Sequence, residues 1–450
     1  MNEDVAVASG RLNADEYATN FADSKPPLDH RQVLVESSRC YFCYDAPCIE
    51  ACPTGIDIPG FIRKIGTANL KGAALEILGA NIMGGMCARV CPTEILCEDA
   101  CVRQAGEGKP VKIGLLQRHA TDWLFERGIQ PFERAPDSGK RVAIVGGGPA
   151  GLSCAHRLAM LGHAVTVFEA RAKLAGLNEF GIAAYKVPDD FAQREVDFIL
   201  AIGGIEPRIG QALGRDVTLA TLRQRYDAVF LGIGLAGTNA LAIAGESLAG
   251  VEDAVDYIER LRQASDLARL PVGRRVVVIG GGNTAVDAAV QSKRLGAEEV
   301  VLVYRRGIQH MSATEHEREF AQTNGVGIRP WARPLCIIGT DRHVTAVEFE
   351  YTQLDELGRL VGTGDRFTLA ADMVFKAVGQ VLVADPVRQD TADILELRQG
   401  KIAVNEERET SLPGVWAGGD CIAGPDLTVQ AVEDGKIAAQ AIDRRLRATM

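Results

Sequence analysis

Two short apolar runs, RVAIV at 141–145 and RVVVIG at 275–280, share a pattern: each leads into a glycine-rich turn and then a segment whose apolar residues recur every three or four positions. Apolar runs of this length bounded by glycine predict buried strands, and the three- and four-residue recurrence predicts helices. After the first run, LSCAHRLAMLG predicts a helix and AVTVFEA (164–170) a second strand. Residues 275–304 repeat the order strand, turn, helix, strand. A repeated strand-helix-strand unit predicts two parallel-sheet domains in one chain. YDAVFLGIG (226–234), DMVFKAVG (372–379) and GVWAGGD (414–420) each predict a further strand running into a glycine turn. They fall between and after the two units, so the first domain is expected to be discontinuous, with the second inserted into it.

The N-terminal third reads differently. Segments such as IPGFIRKIGTANLKGAALEILG carry apolar residues at helical spacing and alternate with cysteines, which predicts a small α-helical domain. Residues 1–30 are polar, show no clear period and contain Pro26-Pro27, which predicts a loosely ordered leader. PFERAPDSGK (131–140) has linker composition. The expected organisation is therefore a leader (1–30), an α-helical domain (31–135), a discontinuous first dinucleotide domain (136–270 and 376–450) and an inserted second one (271–375). The fold class is α/β: two dinucleotide-binding, Rossmann-like domains, one inserted in the other, behind an α-helical ferredoxin-like domain.

Composition narrows the function. A chain of 450 residues is too long for one core, in keeping with several domains. The net charge of -10, from 49 basic and 59 acidic residues, argues against nucleic acid as a partner. No apolar run reaches the roughly 18 residues that span a bilayer, and the acidic start lacks an apolar signal core, so a cytoplasmic protein with no membrane attachment is expected. Eight of the 11 cysteines lie between Cys40 and Cys101. In a reducing compartment such clustering points to metal binding rather than disulfides.

In the first turn, Gly146, Gly148 and Gly151 form G-x-G-x-x-G between strand and helix. Glycine permits a tight turn, and the helix N-terminus offers N–H groups and a favourable dipole to a pyrophosphate. Pro149 and Ala150 open the helix, and Glu169 ends the second strand in position to accept from ribose hydroxyls. The second turn has Gly280, Gly282 and Ala285, and its second strand ends in Arg305-Arg306, a pair suited to a 2'-phosphate or simply to solvent. One acidic and one basic strand end imply two dinucleotides, FAD on the first domain and NADH or NADPH on the second. Gly379, Gly419, Asp420 and Thr428 on the later turns are further candidate cofactor contacts. Cys154, Cys336 and Cys421 are each alone, so no dithiol is available to take electrons from a flavin.

The clustered cysteines are Cys40-x2-Cys43-x4-Cys48-x3-Cys52-Pro53 and Cys87-x3-Cys91-Pro92-x4-Cys97-x3-Cys101. Two-cluster ferredoxin runs end in Cys-Pro and send their fourth cysteine to the other cluster. The same exchange assigns Cys40, Cys43, Cys48 and Cys101 to one [4Fe-4S] cluster and Cys52, Cys91 and Cys97 to a second, whose fourth ligand by thiolate preference is Cys87. Zinc is the alternative for the array, but it has no redox chemistry to offer a flavin.

These motifs resemble the NAD(P)H-oxidising flavin and iron-sulfur subunit of bacterial two-subunit dihydropyrimidine dehydrogenases and, less closely, the glutamate synthase small subunit. The resemblance runs from about residue 31 to the end through SRCYFCYDAPCIEACPTGIDIPGFI, GGMCARVCPTEILCEDAC, KIGLLQRHATDW, GGGPAGLSCAHRLA, VVVIGGGNTAVDAA and GGDCIAGPDLTVQAVEDGKIAA. It implies that Gln117, not Cys87, completes the second cluster. It also implies flavin contacts from Leu177 and Lys186, with Ala175 where glycine is commoner, and nicotinamide-dinucleotide contacts from Asn283, Thr284, Arg305 and Arg306. Ser312 stands where NADPH-using relatives carry another arginine, which favours NADH. The implied activity is electron input for reducing uracil or thymine, with no side-chain acid or base. The partner would be an FMN-containing catalytic subunit with ferredoxin-type clusters, making a hetero-oligomer. A glutamate synthase subunit and a redox-sensing scaffold remain the alternatives.

Overall fold

The computed structural model describes residues 6–388 and 395–448. The chain divides into two compact units. The larger comprises Lys25–Glu179, Asp189–Gly237 and the described residues from Val381 onward; the smaller comprises the described residues up to Ser24, Phe180–Pro188 and Thr238–Gln380.

A five-stranded sheet organises one part of the larger unit. Its spatial order is Val415–Ala417, Ala228–Leu231, Arg141–Val145, Ala164–Glu169 and Ile205–Ile209, and every neighbouring pair is parallel. The order reverses at Arg141–Val145, the arrangement that opens a ligand crevice at the carboxyl ends of a doubly wound sheet. Val142, Ala143 and Ile144 are fully buried, as strands covered on both faces require. The helices Pro149–Met160 and Thr428–Arg447 pack on each other.

The other part of this unit is helical. Asp29 forms a capping box with Gln32 ahead of His30–Ser38, and Asp57 and Asn69 cap Ile58–Gly66 and Leu70–Ala80 through the Gly60 and Gly72 N–H groups. The apolar faces meet in a core of Val33, Phe61, Ile62, Ile77, Leu116 and their neighbours. Cys40, Cys48, Cys52, Cys97 and Cys101 pack against its edge.

In the smaller unit the parallel order is Val326–Arg329, Glu299–Val303, Arg275–Gly280, Met373–Ala377 and Val251–Asp253. An antiparallel sheet of Ala332–Thr340, His343–Leu354 and Leu360–Ala370 is inserted between its fourth and fifth strands in chain order, Val326–Arg329 and Met373–Ala377. The α/β class and the insertion of one dinucleotide fold into another are as expected from the sequence.

Two boundaries differ. The leader is ordered where described: Val7–Ala8 pairs with Val272–Gly273, Asn13 and Glu16 form a capping box on Ala14–Asn20, and Tyr17 is buried in the smaller unit's core. The long segment of the smaller unit also begins at Thr238 rather than 271 and ends at Gln380 rather than 375. The reason is pairing: Val251–Asp253 joins Met373–Ala377, and Tyr257 on the following helix stacks on Phe375 with ring centroids 4.1 Å apart. Among the described residues, no single helix is long and apolar enough to cross a membrane.

One core side chain makes the larger unit acid-sensitive. His156, on Pro149–Met160, is 3% exposed, meets Phe132 edge-on, and has an Nε2 without a hydrogen-bond partner among the described residues. Burial, helped by Arg157, pushes its imidazole down to about 3. The unfolded chain takes up this proton near pH ~6.5 and the folded chain resists it. The stability is therefore complete above that pH and falls on acidification at a slope approaching 1.4 kcal/mol per unit. Thermal unfolding at pH 7 and pH 5 should reveal a smaller loss for His156→Leu than for the wild type, by about 2 kcal/mol. Equal losses would mean that His156 does not set the slope.

Candidate cofactor cradles and cysteine sites

The first glycine turn joins Arg141–Val145 to Pro149–Met160. Gly146 has φ +98°, and a Cβ there would stand 2.3 Å from the Gly232 carbonyl oxygen, so both conformation and space demand glycine. Gly148 caps the helix and Pro149 occupies its first turn. The N–H groups of Ala150 and Gly151, in the first turn, have no carbonyl within the helix to bond. Glu169 is 7% exposed, and its carboxylate accepts from Gly147 N (2.8 Å) and Arg171 N (2.8 Å). An acid is thus fixed against the turn where the sequence predicted a ribose contact.

The later motif converges here. A Cβ on Gly419, which follows Val415–Ala417, would stand 3.1 Å from the Ala150 Cβ. Asp434 accepts from Gly419 N at 3.0 Å and from Arg408 Nε at 3.0 Å. Burial, reinforced by Asp426, pushes Asp420 up to about 6. Thr428 donates to Asn178 Oδ1 at 2.9 Å, beside Leu177 in the short helix Leu177–Phe180. Ala175 holds φ +89° with its N–H on the Gly147 carbonyl at 2.7 Å, so this alanine adopts the conformation for which glycine is commoner.

In the smaller unit, Gly280 ends a strand, Gly282 caps the helix Asn283–Arg294, and Ala285 is fully buried. Asn283 is exposed and Thr284 half-buried at the helix start, and Arg305 and Arg306 are exposed past the strand Glu299–Val303. Ser312 Oγ lies against Gly282. Gly379 follows Met373–Ala377 in this unit, not in the larger one, and its carbonyl accepts from Asn239 N at 3.0 Å.

Lys186 also belongs to the smaller unit. Its Nζ lies 2.7 Å from Asp287 Oδ1 and 2.7 Å from Glu317 Oε1. Burial alone would lower its pKa, but the two carboxylates outweigh that and raise it, while burial raises Asp287. Tyr185 OH and Ala183 N also donate to Asp287, so residues 183–186 are fastened to the helix Asn283–Arg294.

Cys40, Cys43, Cys48 and Cys101 line one cavity, walled by Pro47, Ile58, Ile62 and Ile113 and edged by Arg39 and Arg103. Burial raises the Cys40 thiol, with Cys43 and Cys101 adding to the effect. Burial, Cys101 and Cys40 push Cys48 up to about 12. The second set gathers similarly. Cys91 is raised first by its side-chain hydrogen bond with Cys87, then by burial and by Cys97 and Cys52; Cys97 is raised by burial, Glu98 and Cys52. Among the described residues no three His, Cys, Asp or Glu groups converge on a single-ion position. The first set instead rings a space. Buried thiols crowded this way lose protons readily only to a cation bound among them, which suits a thiolate-ligated iron-sulfur group.

Cys87 is 3% exposed on Gly84–Val90, and Gln117 is 7% exposed on Ile113–Glu126, its Nε2 donating to the Gly84 carbonyl at 2.7 Å. Both eighth-ligand candidates therefore border the same turn. Sequence reasoning missed Glu195, fully buried on Phe191–Leu200, whose Oε1 accepts from Gly85 N (2.9 Å) and Met86 N (3.1 Å). Burial pushes its carboxyl up to about 8 against those two bonds and Arg89. A signal was present, because Glu195 shares the helix face of Phe191, Ala192, Val196 and Ile199.

A family profile described as pyridine nucleotide-disulphide oxidoreductase matches residues 140–435, and one described as dihydropyrimidine dehydrogenase domain II, 4Fe-4S cluster, matches 17–129. The "NAD-dependent dihydropyrimidine dehydrogenase subunit PreT" proteins of Salmonella typhimurium and Escherichia coli K12 are each 35% identical over 428 residues, 95% of this chain and 98% of theirs. Among solved structures, Mycobacterium tuberculosis FprA in complex with NADPH is similar over 70% of this chain and 85% of its own, with TM-score 0.56 and 24% identity. T. acidophilum thioredoxin reductase covers 68% and 99%, with TM-score 0.52 and 21% identity. These two structural likenesses speak to the fold.

Removing Lys186 leaves the buried Asp287 carboxylate and the half-buried Glu317 carboxylate without their shared cation. Lys186→Met should lower stability by about 3–5 kcal/mol. Adding Asp287→Asn and Glu317→Gln to that variant should recover most of the loss in denaturant unfolding. A single variant as stable as the wild type would show that the ammonium does not balance this pair.

Proposed function

The chain belongs to the family of NAD-dependent dihydropyrimidine dehydrogenase PreT subunits, and residues 140–435 to the pyridine nucleotide-disulphide oxidoreductases; on that footing we propose that it is the electron-input subunit of a dihydropyrimidine dehydrogenase. The carrying observation is that Cys40, Cys43, Cys48 and Cys101 line one cavity within the same compact unit as the Gly146 turn. A dinucleotide cradle and a site for thiolate-ligated iron thus share one folded body.

When bound, the flavin takes a hydride as an electron pair and can release electrons singly to iron-sulfur clusters. The residues supply binding and orientation. Gly146, Gly148, Pro149, Ala150 and Gly151 offer backbone N–H groups and space to the FAD pyrophosphate, with Glu169 beside them and Gly419, Asp420, Thr428 and Leu177 on the later segments. Gly280, Gly282, Asn283 and Thr284 would receive the nicotinamide dinucleotide. Ser312 against Gly282 favours NADH over NADPH, although Arg305 and Arg306 leave a cationic strand end. Cys40, Cys43, Cys48 and Cys101 would hold one [4Fe-4S] cluster; Cys52, Cys91, Cys97 and Gln117 the other. Donation from Gln117 Nε2 to Gly84 leaves the amide oxygen as the end that would ligate. Lys186, tied to Asp287 and Glu317, is read as support for its segment as much as a flavin contact. No catalytic acid or base is assigned.

The partner is read as an FMN-containing catalytic subunit with its own ferredoxin-type clusters, reducing uracil or thymine to the 5,6-dihydro form in a cytoplasmic hetero-oligomer. NADH added to the purified chain should bleach flavin and cluster absorbance within seconds, and uracil reduction should require the partner. Copurification with a large glutamine-hydrolysing subunit would overturn the pyrimidine reading. Gln117→Ala should remove or alter one cluster's EPR signal and leave the other intact. If Gln117→Ala changes nothing while Cys87→Ala abolishes that signal, Cys87 is the ligand.

A further inference from the structure

Four backbone positions in the first turn of the helix Gly84–Val90 are held by side chains, two of these side chains coming from other helices and one, Arg89, from the same helix. Gly84 O accepts from Gln117 Nε2 at 2.7 Å, Gly85 O accepts from Arg89 Nη1 at 3.1 Å, and Gly85 N and Met86 N donate to Glu195 Oε1. Glu195 is fully buried, and its Oε2 has no hydrogen-bond partner among the described residues. A carboxyl group is costly to bury with one oxygen unused. Arg89 does not relieve that cost by a direct pair: its guanidinium lies 3.4 Å from the Phe191 ring centroid, and its Nη2 donates to Asp122 at 2.8 and 3.0 Å. The surroundings are also close-fitting. A Cβ at Gly85 would stand 2.5 Å from Phe191 Cζ and 2.8 Å from Glu195 Oε1, so the turn and the helix Phe191–Leu200 meet with no room for a side chain at that position.

What this arrangement fixes is the Gly84 carbonyl, and through it the Gln117 amide. An amide that donates to a carbonyl must present its nitrogen there, which leaves the oxygen at its other end. We propose that Glu195 is a positioning residue for the second cysteine site: by holding the Gly85 and Met86 N–H groups, it sets the turn whose Gly84 carbonyl aims the Gln117 amide oxygen as an iron ligand. This rests on the reading of Gln117 as the eighth ligand. Ligand orientation by outer hydrogen bonds is a general feature of metal sites, and a weak neutral ligand depends on it more than a thiolate does. The sequence Gly84-Gly85 fits the role, because only glycine leaves room for Glu195 and Phe191 at the second position. Glu195→Gln is the conservative variant, since an amide oxygen can accept the same two bonds and matches the protonated acid that burial favours.

The test uses the full-length protein with its cofactors and follows the two clusters separately by EPR and redox titration, with flavin content as the control for folding. Glu195→Gln should keep both cluster signals. Glu195→Leu should keep flavin and the signal of the Cys40, Cys43, Cys48, Cys101 cluster, and should shift or lose the other, with iron falling by up to about half when that cluster is lost. If Glu195→Leu does not accumulate, Glu195→Asp, which keeps a carboxylate but shortens its reach, should shift the same signal. An unchanged second signal in the Leu or Asp variant overturns the proposal. So does loss of both clusters together with the flavin, which would make Glu195 a general support of the fold. Gln117→Ala separates the two ideas: an unchanged signal there removes the ligand reading, whereas a changed one alongside an unaffected Glu195→Leu removes only the positioning role.

Discussion

The C-terminal helix Thr428–Arg447 approaches Pro149–Met160 so closely that a Cβ on Gly435 would stand 2.1 Å from the Ala150 carbonyl oxygen. Gly151 repeats the constraint inside the turn, where a Cβ would stand 1.9 Å from Gly146 O. Much of the larger unit depends on this backbone contact. It brings Gly419 and Asp434 beside the start of the nucleotide helix, and the next residue, Lys436, donates to Thr54 O (3.0 Å) and Ala80 O (3.2 Å) in the helical, cysteine-bearing part. One helix therefore bonds both to the cradle and to the region that gathers the thiols.

Buried charge is handled differently in the two units. In the smaller, Lys186 is balanced by Asp287 and Glu317, an arrangement that is costly to break and that fastens residues 183–186 to the nucleotide helix. In the larger, Glu195 has no cation bonded to it among the described residues, and burial favours its protonated form. The first device holds a segment through opposite charges; the second holds a turn through a neutral acceptor. Thiol crowding belongs to the same economy of charge, since burial and neighbouring thiols raise Cys48 and Cys91 and a cation bound among them would offset that.

Much of this was legible in the sequence because the glycine turns and cysteine spacings encode local backbone demands. Gly146 must be glycine for reasons that lie within its own turn and the strand beside it, and RVAIV reads as a buried strand wherever it occurs. The parts that were not legible depend on contacts distant along the chain. Val7–Ala8 finds its partner at Val272–Gly273, and Val251–Asp253 finds its own at Met373–Ala377, so neither the ordered leader nor the true start of the smaller unit is visible locally. The capping pair Asn13 and Glu16 was a local sign of a short helix, but not of the strand pairing and core packing that hold the leader. Glu195 on an apolar helix face was readable as unusual, but its partners Gly85 and Met86 were not. Spacing alone could not choose between Cys87 and Gln117, because both border one turn.

The central claim is that electrons entering from the nicotinamide dinucleotide leave through the cysteine sites to a partner subunit. Its most direct test is to assemble the complex with Cys101→Ser and measure two rates, flavin bleaching by NADH and uracil reduction. The account predicts that bleaching of the flavin persists near the wild-type rate while uracil reduction is lost. Uracil reduction continuing at the wild-type rate in that variant would contradict it.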